Sequence, residues 1–314
     1  MSTESSASAN TPAGFLHRRV GKRSELLVEA ALVLCASVAI IATIGIVVVL
    51  ATESAPFFAE VSLSEFLGDT QWTPLFADNQ HFGIWPLVAG TMVTSAIALS
   101  VAIPFGIFAA VYLSEYARPG VRAWLKPMLE VLAGIPTVVY GFFALTVVTP
   151  ALQSVFPGVS GFNALAPGLV MGIMIIPLVA SLSEDAIFAV PRSLREASLA
   201  LGGAKSTTIW RVVLPSARSG ISAAIIIAAS RAIGETMIVA IAAGQSARLG
   251  VDPREPMQTM TAFIADISKG DLPTGSLSYQ SIFAVGVALF AFTLTLNIIS
   301  YRWSRAMRAQ ARAV

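Results

Sequence analysis

Charge is what this sequence has least of. Only 12% of its 314 residues are Asp, Glu, Lys or Arg, while 55% are hydrophobic. An ordinary soluble domain carries roughly 25% charged residues. The shortage excludes a soluble enzyme, a nucleic-acid-binding protein and a disordered chain. It predicts an all-α polytopic membrane protein instead. Cysteine is nearly absent too: Cys35 stands alone in an apolar run, so no intramolecular disulfide can form. His17 and His81 are the only histidines, in separate polar segments without metal-ligand neighbours, so no metal site is expected. The net charge of +2 is too small to point to a polyanionic partner.

What is there is apolar and long. Residues 1–24 read as a disordered, basic tail, with Arg18, Arg19, Lys22 and Arg23 at its end. The first apolar stretch begins too late and runs too long for a signal peptide. Six transmembrane helices can be drawn, at Leu26–Ala51, Trp85–Leu113, Met128–Val148, Leu165–Ser183, Gly220–Ala243 and Tyr279–Trp303. The second has room for a kink at Pro104. No charge falls between Val131 and Ser183, and Pro150, Pro157, Gly158, Gly161, Asn163 and Pro167 break that stretch into two spans. The resulting divisions are a first helix with an acidic, aromatic external loop (25–84), a core of five helices (85–303) and a tail (304–314).

The basic residues orient the chain. With the N-terminus inside, sixteen of the 20 Lys and Arg fall in cytoplasmic segments, three fall outside, and Arg231 lies within a span. Both termini are therefore expected in the cytoplasm. The first external loop, Thr52 to Ile84, carries Glu53, Glu60, Glu65, Asp69 and Asp78 and no Lys or Arg. Its Phe57, Phe58, Phe66, Trp72, Phe76 and Phe82 read either as interfacial anchors or as a docking face for an external partner. Met257 to Ile267 has helical apolar spacing.

The cytoplasmic loop 184–218 is the longest on its side. Ser193 and Glu196 form a capping-box pattern, and a short helix to about Leu201 is stopped by Gly202 and Gly203. Ser206 or Thr207 is expected to cap a second short helix ending at Leu214, before Pro215. Leu199, Leu201, Ile209, Trp210 and Val213 supply apolar knobs; Arg195, Lys205 and Arg211 supply a polar edge. Such an element suits a groove on a cytoplasmic partner. The segment from Gly202 to Thr208 fails the phosphate-loop pattern, since no glycine directly precedes Lys205 and no strand leads in. The chain is not expected to bind ATP itself.

Arg231 and Glu235 sit near the middle of the fifth span. A charge there costs about 2.5–3.5 kcal/mol on insertion scales, so both must face protein or a water-filled cavity. Four residues apart, they are expected on one helix face and able to pair. Gly234 admits a close approach, and Ser230 and Thr236 add hydroxyls. An arginine fork suits a tetrahedral oxyanion. A carboxylate beside it accepts a hydrogen bond from a protonated oxyanion such as hydrogen phosphate, which sulfate cannot offer. The alternative is a salt bridge that fixes helix packing. Glu130 is expected to pair with Lys126 rather than to line the pathway.

Glu196, Ala197, Ser198, Gly202, Val212, Leu214 and Pro215 resemble the EAA signature of ABC-importer permeases, with Ser198 and Val212 as departures. Phe82 to Thr91, Tyr112 to Tyr116, Leu132 to Phe143, Ser181 to Ala186, Val190 to Glu196 and Arg231 to Met237 together look like the PstC-type subunit of phosphate importers. The sister PstA-type subunit or a permease for sulfate or molybdate is the near alternative, and a stand-alone channel or secondary carrier the remote one. The resemblance implies a type I importer permease of MetI-like architecture in a bacterial plasma membrane. It is a transport subunit rather than an enzyme, without cofactor, with ATP and Mg on a partner. The implied partners are a PstA-type permease subunit, two PstB-type ATPase subunits and a PstS-type binding protein. In that family the loop containing Glu196, Ala197, Leu201, Gly202, Leu214 and Pro215 docks on the ATPase. Arg231 and Glu235, with Ser230 and Thr236, map to the phosphate pathway.

Overall fold

Prolines and glycines decide where this chain's helices begin and end. The computed structural model describes residues 22–312, apart from 77, 271 and 274. The tail expected at the N-terminus thus lies, up to residue 21, outside the described residues. The helices are α1 (Lys22–Glu60), α2 (Leu63–Gly68), α3 (Trp85–Val111), α4 (Pro119–Ala133), α5 (Thr137–Phe143), α6 (Thr149–Val155), α7 (Leu165–Phe188), α8 (Arg192–Ala200), α9 (Lys205–Thr208), α10 (Leu214–Ile233), α11 (Met237–Ala242), α12 (Met260–Ile267) and α13 (Leu277–Arg312). Three π turns lie between them: Tyr112–Tyr116 prolongs α3, Ala144–Val148 joins α5 to α6, and Ile209–Val213 joins α9 to α10. Among the described residues, six helical runs are long and apolar enough to cross a membrane: Glu25–Glu60, Trp85–Tyr116, Thr137–Val155, Leu165–Phe188, Lys205–Ile233 and Leu277–Arg302. The chain divides into two units, one ending at Val49 within α1 and one from Leu50 onward.

The third span begins later than the sequence suggested. Met128 to Ala133 belong to α4, a separate amphipathic helix, because Pro136 takes an extended ψ of 134° and restarts the chain as α5. The tail expected from residue 304 is helical as far as Arg312, within α13. The fifth span also differs. It starts at Lys205 and stops at Ile233, where Gly234 caps it, and the chain restarts as α11. Pro215 does not end a short helix. It lies in the first turn of α10, directly after the π turn, where Leu214 N–H bonds to Ile209 C=O.

Segments placed on one side by charge are joined to one another in the fold. On the outer side, Ser160 N–H bonds to Arg254 C=O (3.0 Å) and Leu165 N–H to Pro253 C=O (2.8 Å). Ser278 Oγ donates to Pro74 C=O (2.6 Å). Asn163, fully buried, accepts from Ala166 N–H at the start of α7 and donates to Thr149 Oγ1 and Ser160 C=O.

Four of the six aromatic residues that the sequence places in the first external loop are buried, and so serve neither as interfacial anchors nor as a docking face. Phe57, Phe66, Trp72 and Phe82 are at most 3% exposed and pack edge-to-face, with Trp72 against Phe263 of α12 at 5.0 Å between rings. They form an external core, because edge-to-face stacking in a dry cluster outweighs interfacial wetting. Phe76, 67% exposed, is the exception. Phe57→Ala is expected to destabilise the protein by about 3–5 kcal/mol, read as a lowered unfolding midpoint in detergent. An unchanged midpoint would mean that the cluster is not a core.

The membrane core is centred on α3 against α7. Ala98, Ala102, Gly106 and Ala110 recur every fourth residue along α3 and are all buried. Gly168 and Gly172 answer them on α7. A Cβ on Gly172 would lie 2.8 Å from Val101 Cβ and 2.9 Å from Ala98 C=O. Small residues at such spacing let two helices approach closely where lipid supplies no hydrophobic drive.

Candidate functional site: a charged cavity and a latched cytoplasmic helix

A cavity of about 680 Å³ opens between α4, α7 and α10. Its lining includes Lys126 and Glu130 of α4, Met174, Pro177, Ser181 and Glu184 of α7, and Ile227, Ser230 and Arg231 of α10. Along α7 it runs from Met174 to Glu184, ten helical steps or roughly 15 Å at 1.5 Å per residue, from mid-span to the cytoplasmic end.

The charges in it are unequally engaged. Glu184 is fully buried and ion-paired with Arg122 and with Lys126 (3.0 Å); Lys126 also reaches Asp185 (3.3 Å). The hydrogen bond to Glu184 holds the Lys126 ammonium above its ordinary pKa, against the opposing effect of burial and with help from Asp185. The guanidinium of Arg122 also stacks on Phe188, 4.6 Å from the ring centre. The Glu130–Lys126 pair expected from the sequence therefore does not form. The longer reach across to α7 offers Lys126 two carboxylates in place of one, and Glu130 is left lining the cavity.

Arg231 and Glu235 are separated by the break in the fifth span. Arg231 is exposed to the cavity, and Ser230 beside it donates to Asn297 Oδ1 of α13 (3.1 Å). Glu235 lies past the end of α10, 8% exposed, with its carboxylate accepting from Met237 N–H (3.2 Å) and Ile238 N–H (3.4 Å). Its own carbonyl accepts from Thr261 Oγ1 (2.8 Å). Thr236 Oγ1 donates to Gly234 C=O (3.3 Å). A helix broken within an apolar layer leaves orphan N–H and C=O groups that must be satisfied internally, and Glu235 and Thr261 do this. The expected Arg231–Glu235 pair is absent for that reason. The signal was present in the sequence: Gly234 followed by Glu235 and Thr236 reads as a helix stop and a new start.

The second assembly lies at the cytoplasmic ends of the spans. The expected capping box does not form: α8 starts after Pro191, with no side-chain cap, and Ala204 rather than Ser206 or Thr207 precedes α9. Proline's fixed φ starts the helix without a cap. The stop is as expected. Gly202 has φ +81°, Gly203 N–H bonds to Ser198 C=O (3.0 Å), and Gly202 N–H to Leu199 C=O (2.9 Å). These are the paired bonds of a Schellman cap.

Arg195 is turned inward rather than standing on a polar edge. Its guanidinium donates twice to Glu115 Oε1 (2.9 and 3.1 Å), and also to Ile187 C=O (2.9 Å) and Val190 C=O (2.5 Å). One side chain thus joins α8 to the π turn ending the second span and to the end of α7. Ser198 and Thr208 hydroxyls meet at 2.9 Å, and Lys205 Nζ sits 4.5 Å over the Tyr116 ring. Ile209 and Val213 are buried, but Leu194, Leu199, Leu201 and Trp210 stay exposed, Leu201 at 90%.

On the outer face, hydrogen bonds from Arg254 hold the Asp252 carboxyl down at about 2. Asp69 accepts from His81 (2.7 Å); burial pushes its pKa up, but this bond and those from Gln71 and Thr70 outweigh that and hold it low.

Residues 102–309 match the family model described as "Binding-protein-dependent transport system inner membrane component". The chain is 32% identical over 286 residues to the probable ABC transporter permease protein YqgH of Bacillus subtilis, covering 89% of this chain and 91% of that protein. It is 33% identical over 269 residues to the phosphate transport system permease protein PstC of Mesorhizobium japonicum, covering 79% of each. Its fold is like that of a chain of a bacterial ABC transporter involved in the import of alginate (TM-score 0.63, 15% identity, 90% of this chain and 96% of that one). A chain of the MetNI methionine ABC transporter is also similar (TM-score 0.53, 18% identity, 72% and 94%).

Proposed function

The chain belongs to the family of inner-membrane components of binding-protein-dependent transport systems, and from that premise we propose that it is the PstC-type subunit of a phosphate importer. It is a multi-pass permease of an ABC transporter with the fold of importer permeases, and ATP chemistry belongs to a partner chain. The phosphate reading is supported by the 30–33% identity to PstC proteins and by a cavity that offers the Arg231 fork. The proposed partners are a PstA-type permease chain, two PstB-type ATPases and a PstS-type binding protein. The proposed pathway residues are Arg231, with Ser230 beside it; Glu235 and Thr236 hold the bend that follows.

The proposed coupling element is α8 with its cap: Glu196, Ala197, Leu201 and Gly202, continued through Leu214 and Pro215. Closure of the ATPase pair on ATP pushes α8. Arg195 passes that push to the ends of the second and fourth spans, and the cavity alternates its access. Phosphate enters from the docked binding protein, because an acidic outer loop repels the free anion.

The test is ATPase activity of the co-expressed complex in nanodiscs, titrated with binding protein loaded with phosphate or with sulfate. Stimulation by the phosphate-loaded form alone is expected. Stimulation by the sulfate-loaded form would overturn the substrate, and failure to retain any ATPase would overturn the coupling role of α8. A companion prediction concerns the latch. Arg195→Ala is expected to leave ATP hydrolysis running while uptake per ATP falls roughly tenfold, the effect of losing one to two kcal/mol of coupling. Equal losses of hydrolysis and uptake would assign Arg195 to folding alone.

A further inference from the structure

We propose that Glu130 senses whether the oxyanion in the cavity carries a proton, so that the site takes hydrogen phosphate and refuses sulfate. This rests on the phosphate reading above and gives it a specificity residue.

Among the described residues, four charged side chains line the cavity: Lys126, Glu130, Glu184 and Arg231. Two of them are used up. Glu184 is held by Arg122 and Lys126, and Lys126 is shared with Asp185. Arg231 and Glu130 remain, and neither joins an ion pair among the described residues. The serine hydroxyls of Ser181 and Ser230 lie in the same lining. Glu235 does not fill the acceptor role, because its carboxylate already caps the N–H groups of Met237 and Ile238 and does not line the cavity. Glu130 stands one helical turn beyond Lys126 on α4, which places both on the face turned to α7 and α10.

An arginine fork alone binds any tetrahedral oxyanion. A carboxylate in the same lining changes the choice. Hydrogen phosphate donates its O–H to the carboxylate, and the repulsion between the two anions is offset by that bond. Sulfate has no proton at neutral pH. It would leave the carboxylate unpaired and facing a dianion, which is discrimination by a built-in penalty against the wrong ligand. The lining carries acidic as well as basic side chains among the described residues, which fits this role: a purely basic cavity would hold sulfate as well as phosphate.

The experiment measures binding of radiolabelled inorganic phosphate to the full permease–ATPase complex in nanodiscs without binding protein, so that the binding protein's own choice does not enter. Unlabelled phosphate, arsenate and sulfate are the competitors. In the wild type, phosphate and arsenate are expected to displace the label, and sulfate to need about 10- to 100-fold more, the worth of one hydrogen bond to a charged group. Glu130→Gln and Glu130→Ala are both expected to bring sulfate within about twofold of phosphate, while Glu235→Gln leaves the difference in place. Full discrimination in either assembled Glu130 variant overturns the proposal, as does its loss in Glu235→Gln. A wild-type complex that binds sulfate better than phosphate, or binds no phosphate, overturns the phosphate reading and this inference with it. The first pattern of failure leaves the phosphate reading standing, so the two are distinguishable.

Discussion

Arg231→Gln is expected to abolish the proposed phosphate uptake, by about a hundredfold or more, because on that reading two charged hydrogen bonds to the anion are lost together. The complex is expected to assemble still. Arg231 is exposed to the cavity and forms no ion pair among the described residues, so its removal orphans no buried partner. Arg231→Lys keeps the charge but loses the fork, and uptake falls to an intermediate level. The measurement is uptake into proteoliposomes beside size-exclusion of the purified complex. If the glutamine variant fails to assemble, Arg231 serves packing. If it transports normally, the pathway does not run through this cavity.

Gly172→Leu is expected to give no folded protein, and Gly172→Ala to cost about 1–3 kcal/mol. The glycine stands where α7 crosses α3, and an added Cβ would meet Ala98 C=O at 2.9 Å and Val101 Cβ at 2.8 Å. The carbonyl belongs to a helix that is itself held by Ala102, Gly106 and Ala110 against the same partner, so it has nowhere to retreat. Thermal unfolding of the alanine variant and the yield of the leucine variant read the effect. An alanine midpoint equal to the wild type's would mean that the two helices are further apart than described.

The number of spans and the family loop were legible in the sequence, because apolar length and charge asymmetry are properties of whole segments. The Gly202 stop was legible because a left-handed residue leaves a glycine behind. Less legible was anything settled by competition between partners. Lys126 has a carboxylate four residues away in Glu130, and local spacing favours that pair; two carboxylates on α7 win instead. Arg195 looked like surface charge, because a sequence does not show that Glu115 and two carbonyls converge on it from other elements. The aromatic loop looked like an interface because its partner, Phe263, is nearly two hundred residues away. The error over Glu235 was avoidable: the residues that break the fifth span are adjacent in the chain, and the apolar run around them masked the stop.

The π turn at Ile209–Val213 has a geometric consequence for transport. A π turn accommodates one residue more than an α turn, so every side chain after it is rotated by about 100° relative to an uninterrupted helix. Arg231 lies eighteen positions further on, roughly 27 Å along the axis. The compass bearing of the arginine is therefore set at the cytoplasmic surface, within the loop that resembles the ATPase-docking motif. Deleting one residue from that turn would rotate Arg231 by about 100° about the helix axis, away from the cavity lining it occupies here.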